Sequence, residues 1–243
     1  TVISDKVATR EFGRSRLQPS DHWVLPPFLQ VATTVDQIDI AALPDNVILK
    51  PAHSSGQRIP LYAGEPRDVE AIRNTLRHWL DRCFATAPVL NEQFYWNANR
   101  SILIEPLLPG PPESRPAEVK LHLFHEEIRF VTYTAAGPQL SHVGVFDENW
   151  QVLPFAIHMP PMDVAPQVPE RWDDLCRIAR QVAAGFDYLR VDFLMAGGQT
   201  VLNEMSAVHI SGYGPVTPVH YDRIIGDWWS LPGEKPDGAV RED

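Results

Sequence analysis

The stretch LRVDFLMAGGQTVLNEMS, residues 189–206, has the alternation and central glycines of a β-hairpin, yet it carries Arg190, Asp192 and Glu204 among Val191, Phe193, Val201 and Leu202. Carboxylates seldom sit among core residues without a partner, because an ionised group buried unpaired is costly. Side chains alternate along a strand, so Arg190, Asp192 and Leu194 share one face. Whether Glu204 joins them depends on the turn. A three-residue turn over 196–198 sets Arg190 opposite Glu204 and Asp192 opposite Leu202, with the three charged groups on one face. A two-residue Gly-Gly turn sends Glu204 to the other face.

Two carboxylates on one face suit a hard divalent cation. Magnesium takes oxygen ligands, keeps several waters and typically uses one or two carboxylates together with substrate phosphates. For the hairpin alone, an exposed face with an Arg–Glu surface pair is the commoner arrangement. Two lysines shift the balance. Lys50 ends an apolar strand directly before the small-residue loop PAHSSGQ, residues 51–57. A cation beside a loop whose backbone N–H groups approach closely suits phosphate oxygens. Lys6 falls in the first turn of a helix, against the helix dipole, where a nearby anion would compensate it.

The 243 residues suffice for one large domain or two lobes sharing a cleft. A formal charge of -10 argues against a nucleic-acid partner, which needs a basic surface. Cys83 and Cys176 are distant and form no C-x-x-C pair, so a reducing, cytoplasmic setting fits. No apolar run approaches the ~18 residues of a membrane span, and no signal peptide is visible. The chain begins at Thr1, so residues upstream are expected.

Helices are expected over 4–17, with Ser4 or Asp5 as N-cap, over 67–84, over 171–186 and over about 217–230. Strands are expected at 47–49 and 101–108, with three more between 118 and 146. Residues 153–169 contain five prolines and are expected as a loop. Antiparallel strands with separate helices make the fold class α+β.

In this order and spacing, SDKVATREF, VILKPAHSSG, ILIEPLL, EVKLHLFHEEIRFV, WQVLPF, the hairpin and HYDRIIGDWW resemble the TupA-like ATP-grasp family, named from teichuronopeptide biosynthesis. The resemblance covers nearly the whole chain. It implies ATP with Mg2+ held between two α+β lobes with mainly antiparallel sheets. Residues 47–105 would be the smaller, nucleotide-covering lobe and 118–230 the larger, metal-binding one, within an ATP-grasp unit over 1–232 and a flexible tail over 233–243.

By the same resemblance, Lys6 and Lys50 match the two lysines on ATP phosphates. His53, Ser54, Ser55 and Gly56 match the loop closing over those phosphates. Glu105, Pro106, Leu107 and Leu108 match the hinge that takes adenine. Lys120 matches a lysine of the ATP site, without a firm role. Asp192 and Glu204 match magnesium ligands, and Arg190 the catalytic cation facing the transferred phosphoryl group. His209, Ser211 and Gly212 match the loop near the acceptor, although a plain glycine turn explains them nearly as well. Related ligases carry asparagine where Ser206 stands, which puts a second metal in doubt. Asn203 would substitute only by facing inward, against strand alternation.

The implied activity is ATP-dependent carboxylate–amine ligation through an acyl phosphate. Its partners would be small-molecule or polysaccharide carboxylates and amines, including uronic-acid polymers or their precursors. The alternatives are phosphoryl transfer to a hydroxyl and a non-catalytic nucleotide-binding module. The P-loop motif, G-x-S-x-G and D-x-D are all absent. His122 and His125, three apart on a strand, would point to opposite faces, which disfavours a zinc site.

Overall fold

The structure, a computed structural model, describes residues 5–54, 56–82, 98–112 and 114–230. Ser4, Ser55, Cys83 and the tail expected over 233–243 lie outside them. The first helix, α1 (Lys6–Arg16), starts where Asp5 Oδ1 accepts from the Val7 and Ala8 amides at 2.7 and 3.3 Å. Strands β1 (Gln30–Ala32), β2 (Val47–Pro51) and β3 (Ile59–Leu61) follow, then helix α2 (Val69–Asp81) and strand β4 (Ile102–Pro106). Next come β5 (Ala117–Phe124), β6 (Glu127–Thr134), β7 (Gly144–Phe146) and β8 (Ala156–Ile157). Helix α3 (Trp172–Ala183), the hairpin β9 (Tyr188–Ala196) and β10 (Gln199–Ser206), strand β11 (Val216–Thr217) and helix α4 (His220–Asp227) complete the order.

Two antiparallel sheets organise these elements. The smaller has the order β1-β4-β2-β3, and the larger β10-β9-β5-β6-β7. The expected start of the smaller lobe at 47 leaves out β1, whose three residues pair with β4. That strand is too short to show a period. The pair β8–β11 interrupts the proline-rich loop, and the third strand expected before 146 shortens to three residues.

Alternation decides which side chains reach the space between the sheets. In the smaller sheet, Val47, Leu49, Ile102 and Ile104 join Ile72, Leu76 and Trp79 of α2 in one apolar cluster. Ile48, Lys50 and Glu105 therefore take the opposite face. In the larger sheet, Val119, Leu121, Leu189, Val191 and Phe193 pack in the same core as Ala179 and Val182 of α3. Glu118, Lys120, His122, Arg190 and Asp192 take the other face.

The hairpin settles the register question in an unexpected way. Gln199 pairs with Ala196, so the turn is two residues, Gly197 and Gly198, both with positive φ (56° and 74°), and not the three-residue turn. A strict ladder from this turn would set Glu204 opposite Val191, in the core. A β-bulge between Leu202 and Glu204 adds one residue, so Glu204 pairs with Asp192 and Ser206 with Arg190. The expected shared face is therefore present, with different partners across it.

The same turn touches the other side of the cleft. A Cβ on Gly197 would meet Pro109 Cβ at 2.6 Å, whereas one on Gly198 would meet nothing within 4 Å. Both alanine replacements meet the positive-φ strain of roughly 1–3 kcal/mol. Gly197→Ala is thus expected to lower the denaturation midpoint clearly more than Gly198→Ala. Equal losses in thermal melts would show that the Pro109 contact is not close in solution.

Candidate functional site

The registers place two rows of side chains across the larger sheet. Glu204, Asp192, Lys120 and Thr132 form one row, and Ser206, Arg190, His122 and Phe130 the next. Opposite them, across a cavity of about 900 Å³, stand Lys50, Glu105 and Lys6. The cavity wall gathers Lys6, Arg10, Lys50, Lys120 and Arg190 in a chain of net charge -10, so the basic surface that anion binding needs is local.

Asp192 is wholly buried. Its Oδ1 accepts from Arg190 Nε at 2.7 Å, and its Oδ2 from Arg190 Nη2 at 2.8 Å and from Lys120 Nζ at 3.2 Å. Burial alone would raise the carboxyl's pKa; Arg190 and Lys120 outweigh it and hold Asp192 below the usual carboxylate range. Glu204 lies less enclosed, 3.8 Å from Arg190 Nη2. Among the described residues, no group of three or more His, Cys, Asp or Glu could hold a metal ion by itself. Two carboxylates at paired positions do fit a magnesium ion that brings phosphate ligands with it.

The residues expected on phosphate divide. Lys6 and Lys50 line the cavity. Lys6 is buried, donates to the carbonyls of Pro51 (3.3 Å) and Ser54, and has its pKa lowered by burial, which Glu204 partly offsets. These two carbonyls explain why a helix accepts a lysine in its first turn. Gly56 also lines the cavity. His53 does not: its ring is buried with Nε2 2.8 Å from the Trp79 carbonyl of α2. The buried Ser54 hydroxyl donates to Gln57 Oε1 at 2.6 Å, which directs it along its own loop.

Glu105 also departs from expectation. Its carboxylate is buried between Arg10 (2.5 Å) and Lys50 (2.9 Å), while Pro106, Leu107 and Leu108 line the cavity beside it. Burial would raise its pKa, but Arg10 and Lys50 depress it overall. Arg10 is the residue that sequence reading missed. It also donates to the Lys6 carbonyl (3.1 Å) and to Asn203 O in the bulge (3.2 Å), so a single guanidinium ties α1, β4 and β10 together. Its spacing from Lys6, one helical turn, was the available signal. Asn203 lines the cavity despite the alternation argument, because the bulge interrupts alternation there.

Beyond β10, His209 receives a long bond from Arg190 Nη1 at Nδ1 (3.5 Å), while its Nε2 is buried without a hydrogen-bond partner. Burial first, then Arg190 and Lys120, push its pKa down to about 3. His209 and Gly212 are not part of the cavity wall, where Val208 and Ile210 stand in their place. The side chain of Ser211 lies outside the described residues. Ser206 Oγ donates to the Val208 carbonyl at 2.7 Å. His122 and His125 do not form a metal pair: His122 is buried against Phe130 and bonded to Tyr188, while His125 is in the turn beyond β5.

Removing Arg10 leaves the buried Glu105 carboxylate with Lys50 as its one remaining ion-pair partner. Arg10→Met is expected to cost about 3 kcal/mol in chemical denaturation, and adding Glu105→Gln should recover part of it. A loss below about 1 kcal/mol would contradict the ion pair's role. His209 gives a pH test. An unfolded histidine takes its proton near 6.5, the folded one only near 3, so its stabilisation is present above 6.5 and lost as pH falls between those values. His209→Gln should flatten the stability–pH slope in that window by up to about 1.4 kcal/mol per pH unit. An unchanged slope would mean that His209 protonates in the folded protein.

No curated protein sequence matches the chain. Similar solved structures include D-alanine–D-alanine ligase from Bacillus anthracis complexed with ATP, at 12% identity and TM-score 0.49, covering 84% of this chain and 55% of that one. L-amino acid ligase from Bacillus licheniformis is similar at 16% identity and TM-score 0.47, covering 90% and 43%. The chain thus spans about half the length of these structures. No helix among the described residues is long and apolar enough to cross a membrane. The TupA-like ATPgrasp family model matches residues 1–230, and the chain belongs to that family.

Proposed function

We propose that the cavity binds ATP with magnesium and that the protein is an ATP-dependent carboxylate–amine ligase working through an acyl phosphate. The observation that carries this reading is that Glu204 and Lys120, with Asp192 paired between them and buried behind Lys120, stand across one cavity from Lys50 and Lys6: acids for a metal on one side, cations for phosphate on the other. Neither wall alone would select a nucleotide.

In this reading a substrate carboxylate oxygen attacks the γ-phosphorus of ATP and ADP leaves. An amine then attacks the acyl carbon, phosphate leaves with the C–O bond electrons, and the amine proton passes to solvent. The phosphorylation replaces a poor leaving group with a good one, and the protein's part is positioning and charge neutralisation. Lys6 and Lys50 hold the triphosphate. Arg190, fixed by Asp192 and with its charge thereby favoured despite burial, faces the transferred phosphoryl group. Asp192 and Glu204 would hold magnesium, which supplies charge neutralisation at the β- and γ-phosphates. Pro106 to Leu108 receive adenine.

The buried hydroxyl of Ser206 is committed to Val208, which supports a single metal rather than two. For substrates, the teichuronopeptide pathway behind the family's name suggests an amide between an amino acid or peptide and a uronic-acid-containing polysaccharide or precursor. We place the reaction in the cytoplasm, where ATP is supplied.

Asp192→Asn and Glu204→Gln are each expected to cut magnesium-dependent ADP release, assayed over a panel of amino acids and uronates, by at least about 100-fold. Normal turnover in both would overturn the metal assignment. Product mass decides the reaction: an amide supports ligation, a phosphate ester would reassign the protein as a phosphotransferase. Arg190→Ala should lower turnover far more than ATP affinity, since its charge meets the transition state. Equal losses would make it a ground-state binding residue.

A further inference from the structure

Asp192 is proposed above as a metal ligand, yet it cannot be reached from the cavity. Its side chain is wholly buried, and it is Arg190 and Lys120, not Asp192, that form the cavity wall in front of it. Both of its oxygens are engaged, by bonds of 2.7 and 2.8 Å from Arg190 and 3.2 Å from Lys120. A divalent ion arriving alone would meet two cations and a carboxylate with three of its roughly four lone-pair sites in use. It would have to surrender hydration water at the same moment, which magnesium does reluctantly.

Resting on that reading of the site, we propose that Lys120 is a positioning residue that closes Asp192 to divalent metal until a triphosphate arrives, so that metal and nucleotide bind as one unit. Of the two cations, Lys120 is the one built to move. Arg190 is held by a fork of two bonds on both carboxylate oxygens and is 7% exposed. Lys120 makes one longer bond to Oδ2 and already has an alternative partner, Glu118 Oε2, at 3.1 Å. Its stem is flexible and its ammonium is a rotatable point charge. Triphosphate oxygens in the cavity give that ammonium a stronger anion to follow, and its departure opens one lone pair of Oδ2 towards Glu204 while Arg190 keeps the other.

The arrangement has a physical purpose. An empty site in which Asp192 and Glu204 lay open together would bind divalent ions without nucleotide. An empty site with Asp192 lacking cations would bury an unpaired carboxylate. Lys120 meets the first demand and shares the second with Arg190.

The test uses the full chain and Mn2+ as the probe, with free Mn2+ read by electron paramagnetic resonance, with and without a non-hydrolysable ATP analogue. In the unaltered protein, Mn2+ should bind at least about tenfold more tightly with the analogue than without it. Lys120→Met, which keeps the apolar stem, should raise affinity for Mn2+ alone by at least about tenfold, and Lys120→Arg should restore the block. Adding Asp192→Asn to Lys120→Met should remove the gain. Arg115→Met, which deletes another cation of the same cavity wall, should leave Mn2+ binding without nucleotide unchanged.

Equal Mn2+ affinity with and without the analogue, or no gain in a folded Lys120→Met protein that still binds Mn2+ with the analogue, would overturn the gate alone. An equal gain in Arg115→Met would reduce the effect to general charge and overturn it too. Absence of Mn2+ binding with the analogue in every protein would remove the metal assignment itself, and the gate with it.

Discussion

A carboxylate with no exposed surface must be neutralised from within the protein, and Asp192 is neutralised by Arg190 from its own strand and Lys120 from the neighbouring one. Much of the cleft follows from that demand. The two cations must lie on the cleft face of the larger sheet, opposite the face that packs on α3, and alternation places them there. The sheet is thereby divided into an apolar side that stabilises it and a charged side that would act. Breaking one partner of such a group costs far more than the pair contributes, so the charged row is rigidly specified even where its net stabilisation is small.

The same logic operates on the other wall. Glu105 is neutralised by Lys50 beside it and by Arg10, which comes from α1 and also binds the bulged segment of β10. The first helix therefore belongs to both walls: it packs with β10 and α3, while Lys6 reaches the loop after β2. Both walls use internal acids to hold cations in place where a nucleotide would supply the anions. A nucleotide would then exchange ion pairs rather than enter a bare positive pocket, which reconciles a locally basic cavity with an acidic protein.

Much of this was legible in the sequence because it depends on short-range periodicity. Helices α1, α2 and α3, the strand ending at Lys50, the strand carrying Glu105 and the charged hairpin all announce themselves through spacing and caps. The hairpin shows the limit. Gly197-Gly198 pointed to either of two turns, and the correct turn alone gives the wrong face for Glu204; only the bulge at Asn203 restores it. A bulge is one unpaired residue fixed by tertiary contacts, here including the Arg10 bond to the Asn203 carbonyl, and leaves no period to read. The direction of the His53 ring was hidden for a related reason: position in a small-residue loop says nothing of which way a ring turns, and here it meets the Trp79 carbonyl. Arg10 was missed because its partners lie 95 and 193 residues away.

The central claim is that the acids of the larger sheet and the lysines of the other wall grip one magnesium triphosphate between them. The most direct measurement is a crystal structure with Mn2+ and a non-hydrolysable ATP analogue, with anomalous scattering locating the metal. One Mn2+ peak is expected, bonded to Asp192 and Glu204, with phosphate oxygens completing its shell and Lys6 and Lys50 on the triphosphate. A metal remote from those carboxylates, or a nucleotide bound outside the cavity between the sheets, would contradict it.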